Sequence, residues 1–139
     1  MQDPGYRIGD HPSDLELWVW GRDRKELFIN AARGMLNYTA PSGGAGPPLR
    51  RRVHLTASNQ EELLIAWLNE LLFFLETGEE RYRSFLITGL SDRELQAKLE
   101  GVKLRPEERL GPEIKGATYH QLFIRKTESG WKAHIILDL

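Results

Sequence analysis

Apolar and polar residues recur along this chain with two different periods, and these periods predict its secondary structure. From Leu15 to Trp20 an aliphatic residue occupies every second position, as in a strand with one buried face. Between Leu27 and Leu36 apolar residues recur at helical spacing, behind a capping-box sequence at Asp23–Glu26. This helix should end near Asn37. By the same reasoning we expect strands at about 6–9, 15–20, 51–57, 82–90, 94–100, 114–126 and 130–137.

A second helix is predicted from a capping-box sequence at Ser58–Glu61 to about Glu76. Between Leu63 and Leu75 it is apolar around most of its circumference, so we expect it to be central in the fold or partly covered by a partner. Two helices followed by a run of strands favour the α+β class, with two helices packed on a largely antiparallel sheet. We expect residues 1–139 to form a single domain with a flexible Gly- and Pro-rich loop at about 40–49.

Carboxylates stand near both ends of the chain, next to predicted strands. Asp14 lies at the entrance of one strand, and Asp138 follows the last one, on the opposite side from its main apolar series. If the two ends meet, these carboxylates and an α-carboxylate at Leu139 would form an oxygen-rich site for calcium, magnesium or manganese. The alternative is that Asp14 caps a turn and Asp138 is solvated, as most carboxylates are.

Lys115 is a second candidate functional residue. Alternation along the predicted strand at 114–126 places it on the same side as Ala117 and Tyr119. A lysine in this position is commonly a solvated charge that discourages strand pairing at a sheet edge. The functional alternative is a charge contact with a phosphate or an acidic partner.

The composition limits the chemistry that this chain can perform. It has 139 residues, a formal net charge of -1 and no cysteine, which excludes disulfides, thiol catalysis and thiolate zinc sites. The lack of a secretory signal and of a membrane-spanning stretch predicts a cytoplasmic protein without membrane contact. The net charge gives no general attraction to DNA or RNA, and the cationic run Arg50–Arg52 has no interleaved aromatic residues.

Five segments, in order along the chain, resemble the archease family. They are Asp10–Gly21, the helix that contains Glu26-Leu-Phe, Glu61–Leu72, Ile114–His120 and Ile136–Leu139, and they span nearly the whole chain. The family usually has Asp-His-Thr-Ala-Asp in the first segment, where this chain has Pro12 and Ser13 at the middle positions. Asp10 and His11 remain and are further candidate ligands by this resemblance. Proline, however, fixes φ where the backbone aims Asp14, so metal affinity could differ from that of relatives.

Archeases are accessory proteins of the RtcB-type RNA ligase, which uses GTP and manganese to join RNA ends in tRNA splicing and RNA repair. The resemblance therefore implies that this protein is not an enzyme, and that it promotes guanylylation and multiple turnover of such a ligase. It implies that Asp14, Asp138 and Leu139 bind a divalent metal, with calcium expected first and magnesium or manganese as alternatives. Lys115 would support the interaction or the activation. RNA would be contacted indirectly, through the ligase.

Two functions of other classes compete with this interpretation. A small metal-dependent phosphoesterase could use Asp10, Asp14 and Asp138 around two cations to activate water. A general chaperone or adaptor could use the apolar helix at 63–75 as a binding surface.

Overall fold

The computed structural model describes residues 3–10, 13–41, 44–109 and 111–139. Its elements, in chain order, are β1 (Tyr6–Asp10), β2 (Asp14–Gly21), α1 (Arg24–Thr39), β3 (Pro48–Thr56), α2 (Gln60–Gly78), β4 (Glu80–Leu90), β5 (Glu94–Lys103), a 3₁₀ turn (Pro106–Glu108), β6 (Gly116–Thr127) and β7 (Gly130–Asp138). Every predicted strand and both predicted helices are present, which confirms the α+β class. Their ends differ from the predicted bounds by up to three residues.

The strands form two antiparallel sheets, whereas the sequence pattern predicted one. The four-stranded sheet has the order β1-β2-β7-β6, and the three-stranded sheet has the order β3-β5-β4. Both helices contact both sheets, because α1 packs on β2 and β4 while α2 packs on β6, β4 and β3. The helices therefore share one continuous hydrophobic core with the two sheets.

The second helix is central, as its all-round apolar pattern predicts. Nine of its side chains are buried, namely Leu63, Leu64, Ile65, Trp67, Leu68, Leu71, Leu72, Phe74 and Leu75. Trp67 is fully buried, and its indole N–H donates to the carbonyl oxygen of Phe28 in α1 at 2.9 Å. The two sheets and α1 together cover this helix.

Within the described residues, neither helix has the length and apolar composition needed to cross a bilayer.

Both helices begin at side-chain caps, and one cap differs from the prediction. Asp23 caps α1 and accepts a hydrogen bond from the Glu26 backbone N–H at 2.8 Å, as expected. The predicted cap of α2, Ser58, is wrong by one residue. Asn59 accepts from the Glu62 backbone N–H at 2.8 Å, and Glu62 in turn accepts from Ser58 N–H. Asn59 and Glu62 keep the three-residue spacing of a capping box, but the returning bond comes from Ser58, one residue before the cap.

A buried arginine holds the end of α1 against the three-stranded sheet. The guanidinium of Arg81 donates to the carbonyl oxygen of Ala40 at 3.1 Å and to Asn37 Oδ1 at 2.9 Å. Burial, together with repulsion from Arg83, lowers the pKa of Arg81 to about 10. The hydrogen bond to Ala40 satisfies a carbonyl oxygen at the end of α1 that would otherwise have no partner.

The Gly- and Pro-rich segment at 40–49 contains no helix or strand in its described part before Pro48, where β3 begins. The backbone N–H of Ala45 donates to Glu108 Oε2 at 2.9 Å. Gly46 lies so close to β5 that an added Cβ would be 2.0 Å from the carbonyl oxygen of Lys103. Residues 42 and 43 lie outside the described residues, and the flexibility of this loop stays a prediction.

Candidate functional site

The antiparallel pairing of β2 with β7 brings the two acidic segments together. The register runs from Gly21 opposite Trp131 to Asp14 opposite Asp138, which is the last pair. Residues directly opposite each other point to the same face of a sheet, with Cβ atoms about 5 Å apart. Asp14 is half-buried and Asp138 is exposed. The expectation that the two ends meet is therefore confirmed, and the pair is called the acidic edge below.

Strand β6 completes the acidic edge from the other side. Gly116 is the register partner of Asp138, and the backbone N–H of Lys115 donates to the Asp138 carbonyl oxygen at 2.7 Å. Lys115 was expected within the strand, but β6 begins one residue later, so strand alternation does not fix its side chain. That side chain is exposed, and among the described residues it forms no ion pair with Asp138. Its amine can therefore meet a partner at this edge.

Leu139 extends the same edge. Its backbone N–H donates to the carbonyl oxygen of Ser13 at 3.4 Å, and its half-buried side chain packs against the core. The backbone oxygen of Leu139 is thereby kept beside Asp138. Strand β1 ends at Asp10, opposite Leu15, so its backbone reaches this edge too. The Asp10 side chain and all of His11 lie outside the described residues.

Asn69 of α2 is a positioning residue that the sequence reasoning missed. Its Oδ1 accepts a hydrogen bond from the backbone N–H of Ala117 at 2.9 Å and thereby ties the start of β6 to the helix. An added Cβ on Gly116 would lie 3.4 Å from the same oxygen, which is an ordinary contact distance. The signal was present in the sequence, because Asn69 interrupts an otherwise apolar stretch.

The acidic edge offers two carboxylates that could together attract a hard cation. Two carboxylates opposite each other repel, and a divalent cation between them would remove that repulsion. Among the described side chains no group of three or more His, Cys, Asp and Glu residues could hold a metal ion. From the described part of the chain, further ligands could be backbone oxygens, with water or oxygens of a partner completing the site, and calcium and magnesium accept such ligands.

Two helices packed on two antiparallel sheets, with β7 paired to the β1–β2 hairpin, make this an α+β fold. A family model described as the archease protein family (MTH1598/TM1083) matches residues 6–139. The chain therefore belongs to the archease family.

Relatives and solved structures agree with this membership. Protein archease of Methanosarcina acetivorans is 34% identical and covers 99% of this chain and 98% of its own length. Protein archease of Methanothermobacter thermautotrophicus is 30% identical over 97% of this chain and 99% of its own. The solution structure of Methanobacterium thermoautotrophicum protein 1598 matches with a TM-score of 0.79 and 28% identity, over 99% of this chain and 100% of that one. A crystal structure from Thermotoga maritima, described as an archease and possible chaperone, shares the fold with a TM-score of 0.68 and 17% identity over 100% and 98%.

Proposed function

We propose that this protein is an accessory factor of an RtcB-type RNA ligase. In this proposal it binds a divalent cation, calcium first and magnesium or manganese as alternatives, at the acidic edge. It presents that edge to the ligase and promotes guanylylation, so that the ligase turns over repeatedly in tRNA splicing or RNA repair. The protein contributes no catalytic residue of its own and works in the cytoplasm, where GTP and RNA are available. The observation that carries the proposal is the pairing of Asp14 with Asp138.

The geometry supports an electrostatic role toward a nucleotide site on another protein. Two carboxylates and the exposed amine of Lys115 lie at the end of three hydrogen-bonded strands, which restricts their movement. Carboxylates can adjust the occupancy of a metal that orients GTP phosphates, and a lysine can contact a phosphate or a carboxylate as a point charge. Both kinds of group would act on the ligase's own metal and nucleotide.

A phosphoesterase has weaker support from the same residues. Two-metal hydrolysis needs ligands for both cations and a base or metal-bound water between them. The described side chains offer two carboxylates at this edge and no cluster of three metal-binding residues. Incubation of the pure protein with manganese and RNA or phosphate esters separates the two functions, because an enzyme would release phosphate without a ligase.

The decisive experiment measures guanylylation and multiple-turnover ligation with Asp14→Asn and Asp138→Asn proteins. We expect each variant to stimulate the ligase at least about tenfold less than the wild type does, a loss that is common when a residue supporting a metal site is changed. Glu128→Gln is the matched control, because it removes one exposed carboxylate from the β6–β7 turn, at the far end of the same sheet. Full stimulation by both aspartate variants would contradict the proposal.

A chaperone function is a second candidate, and two observations bear on it. The Thermotoga maritima relative of the same fold is described as a possible chaperone. The helix at 63–75, predicted as the binding surface for this function, is largely buried, so that part of the prediction is wrong. The exposed large apolar residues of the described chain are Phe73 on this helix, Leu86 on β4 and Tyr119 on β6. Suppression of the aggregation of an unrelated unfolded protein, without any stimulation of the ligase, would favour this function.

A further inference from the structure

The outer face of the four-stranded sheet, which points away from the helices, carries aromatic and cationic residues in two rows across the strands. The register aligns Arg7 with Trp18, Trp18 with His134, and His134 with Phe123. Two residues further along each strand, on the same face, Trp20 is aligned with Lys132 and Lys132 with Arg125. This set of seven residues is called the outer-face patch below.

Three rings in the patch form one cluster. The ring centroids of Trp18 and His134 are 4.2 Å apart, and those of Phe123 and His134 are 5.8 Å apart. His134 is buried, and its Nδ1 lies 2.8 Å from the carbonyl oxygen of Gln121, so the imidazole is held between its neighbours. Trp18 and Phe123 are half-buried, so part of each ring is open to solvent. The result is a fixed aromatic surface on a sheet.

Cations surround this aromatic surface. The Lys132 ammonium lies 5.0 Å and the Arg7 guanidinium 5.9 Å from the Trp18 ring centroid, and the Arg125 guanidinium lies 4.1 Å from that of Phe123. Within the described part of the chain none of these three cations forms an ion pair. Arg125 and Lys132 are direct cross-strand partners, a placement that is unfavourable for like charges without an anion.

Carboxylates near the patch are already engaged. Glu16 Oε1 lies 3.5 Å from His134 Nε2, and Glu26 accepts from Arg22 at 2.9 Å. A groove of about 590 Å³ runs from Arg7 and Trp18 to Lys132 and the β6–β7 turn, within the size range of ligand-binding pockets. Its lining contains the Arg22–Glu26 pair, and it also places the rings of Trp18 and Trp20 beside Arg7 and Lys132, which form no ion pair among the described residues.

We propose that the outer-face patch binds an unpaired nucleic-acid strand. Bases stack on Trp18 and Phe123, and the phosphates pair with Arg7, Arg125 and Lys132. Aromatic rings on a sheet with cations around them are the two components that single-strand binding requires. A stacked base contributes more than one exposed cation–π contact, so the cations can leave the rings for phosphates when a strand binds. This inference goes beyond the proposed function, in which RNA contact is through the ligase.

The patch and the acidic edge lie on the same face of the sheet. Asp14 and Trp18 are four residues apart on β2, which is an even separation and about 13 Å of strand. Asp138 and His134 have the same separation on β7. Because these carboxylates repel phosphates, a strand bound to the patch should run across the strands rather than toward the acidic edge.

The test uses fluorescence anisotropy of labelled 12-nucleotide oligouridylate and its DNA counterpart with the full chain and no ligase. We expect the Arg125→Glu/Lys132→Glu protein to bind at least about tenfold more weakly than the wild type. Arg52→Glu/Lys98→Glu is the matched control, because these exposed residues are also cross-strand partners, on β3 and β5. The control should bind within about twofold of the wild type, since it changes the net charge equally but lies on the other sheet.

Three further measurements separate a stacked strand from simple charge attraction. Three phosphate contacts predict that affinity falls about 15- to 20-fold between 50 and 200 mM salt. Trp18→Leu, checked for folding by circular dichroism, should bind about tenfold more weakly. Duplex RNA and polyglutamate should bind more weakly than the single strands, because neither offers unstacked bases.

Binding of either single strand with these properties supports the proposal. It is overturned if neither strand binds, if both charge-reversed proteins lose affinity equally, or if polyglutamate binds as tightly as the strands. The last result would instead indicate a docking site for acidic proteins. The binding assay contains no ligase, so a negative result in it does not contradict the proposed function. In the same way, a negative result in the ligase assay does not contradict strand binding by the outer-face patch.

Discussion

Replacement of Asp138 by asparagine should stabilise the metal-free protein and abolish its stabilisation by a divalent cation. Asp138 lies directly opposite Asp14, so two negative charges face each other across two strands. At a separation of about 5 Å in a water-like dielectric, their repulsion amounts to about 0.8 kcal/mol. For a domain of this size that energy corresponds to a rise in Tm of about 2–3 °C. Asparagine removes the charge and keeps the size of the side chain.

Cation binding should reverse this order of stability. A site with a dissociation constant of about 0.1 mM, in the weak range for calcium, stabilises the native state by about 1.8 kcal/mol at 2 mM cation. The wild-type Tm should therefore rise by about 5 °C with the cation, whereas that of Asp138→Asn should barely change. The wild type would then be the more stable of the two proteins.

Thermal unfolding followed by circular dichroism, in chelator and then in calcium, magnesium or manganese, measures both effects. Glu128→Gln serves as the control, and its Tm should respond to the cation as that of the wild type does. The reasoning is refuted if Asp138→Asn is less stable than the wild type in chelator. It is equally refuted if the cation raises the Tm of both proteins by the same amount.

Two further predictions concern the three-stranded sheet. Gly101→Ala should cost about 1–3 kcal/mol in urea unfolding because its Cβ would lie 2.1 Å from the Arg81 carbonyl oxygen, whereas Gly89→Ala, with 3.9 Å to its nearest neighbour, should be nearly neutral. Partial burial raises the pKa of Glu80, but hydrogen bonds from Arg51 and Tyr82 outweigh it, so this pKa lies below 4.5. That stabilisation is present above pH 4.5 and is lost as the pH falls through the lower, folded-state pKa. The free energy of unfolding of the wild type should therefore fall more on acidification than that of Glu80→Gln, by under about 1 kcal/mol for a partly exposed pair, and urea unfolding across this pH range measures it.

Local sequence patterns were sufficient to predict the elements and to place two carboxylates at strand ends. Strand alternation around Leu17 and Ile135 defines one buried face, and it leaves Asp14 and Asp138 at equivalent strand ends. The step from two strand ends to one site was a hypothesis that periodicity could not test and that the resemblance to archeases also implied. The β2–β7 register confirms that step. Metal binding by these residues stays a prediction.

Other features depend on contacts between distant segments, which periodicity does not encode. The division into two sheets depends on which distant strands pair, such as β2 with β7, and no single strand pattern specifies that pairing. Alternation predicted one side for Lys115 and Tyr119, but the β6–β7 register shifts between Thr118 and Phe123, where Gln121 has φ of 54°. Through this bulge the Gln121 carbonyl meets His134, and the aromatic cluster forms around it.

The position of β7 explains how residues at the end of a sequence can form a defined site. Chain ends commonly fray, because few contacts hold them. Here β7 lies between β2 and β6, so its backbone is hydrogen-bonded on both sides up to Asp138. The bonds from Lys115 N–H to Asp138 and from Leu139 N–H to Ser13 continue this pairing beyond the strand. Any change that weakens the start of β6, such as loss of the Asn69 contact, should therefore disturb the acidic edge without touching a carboxylate.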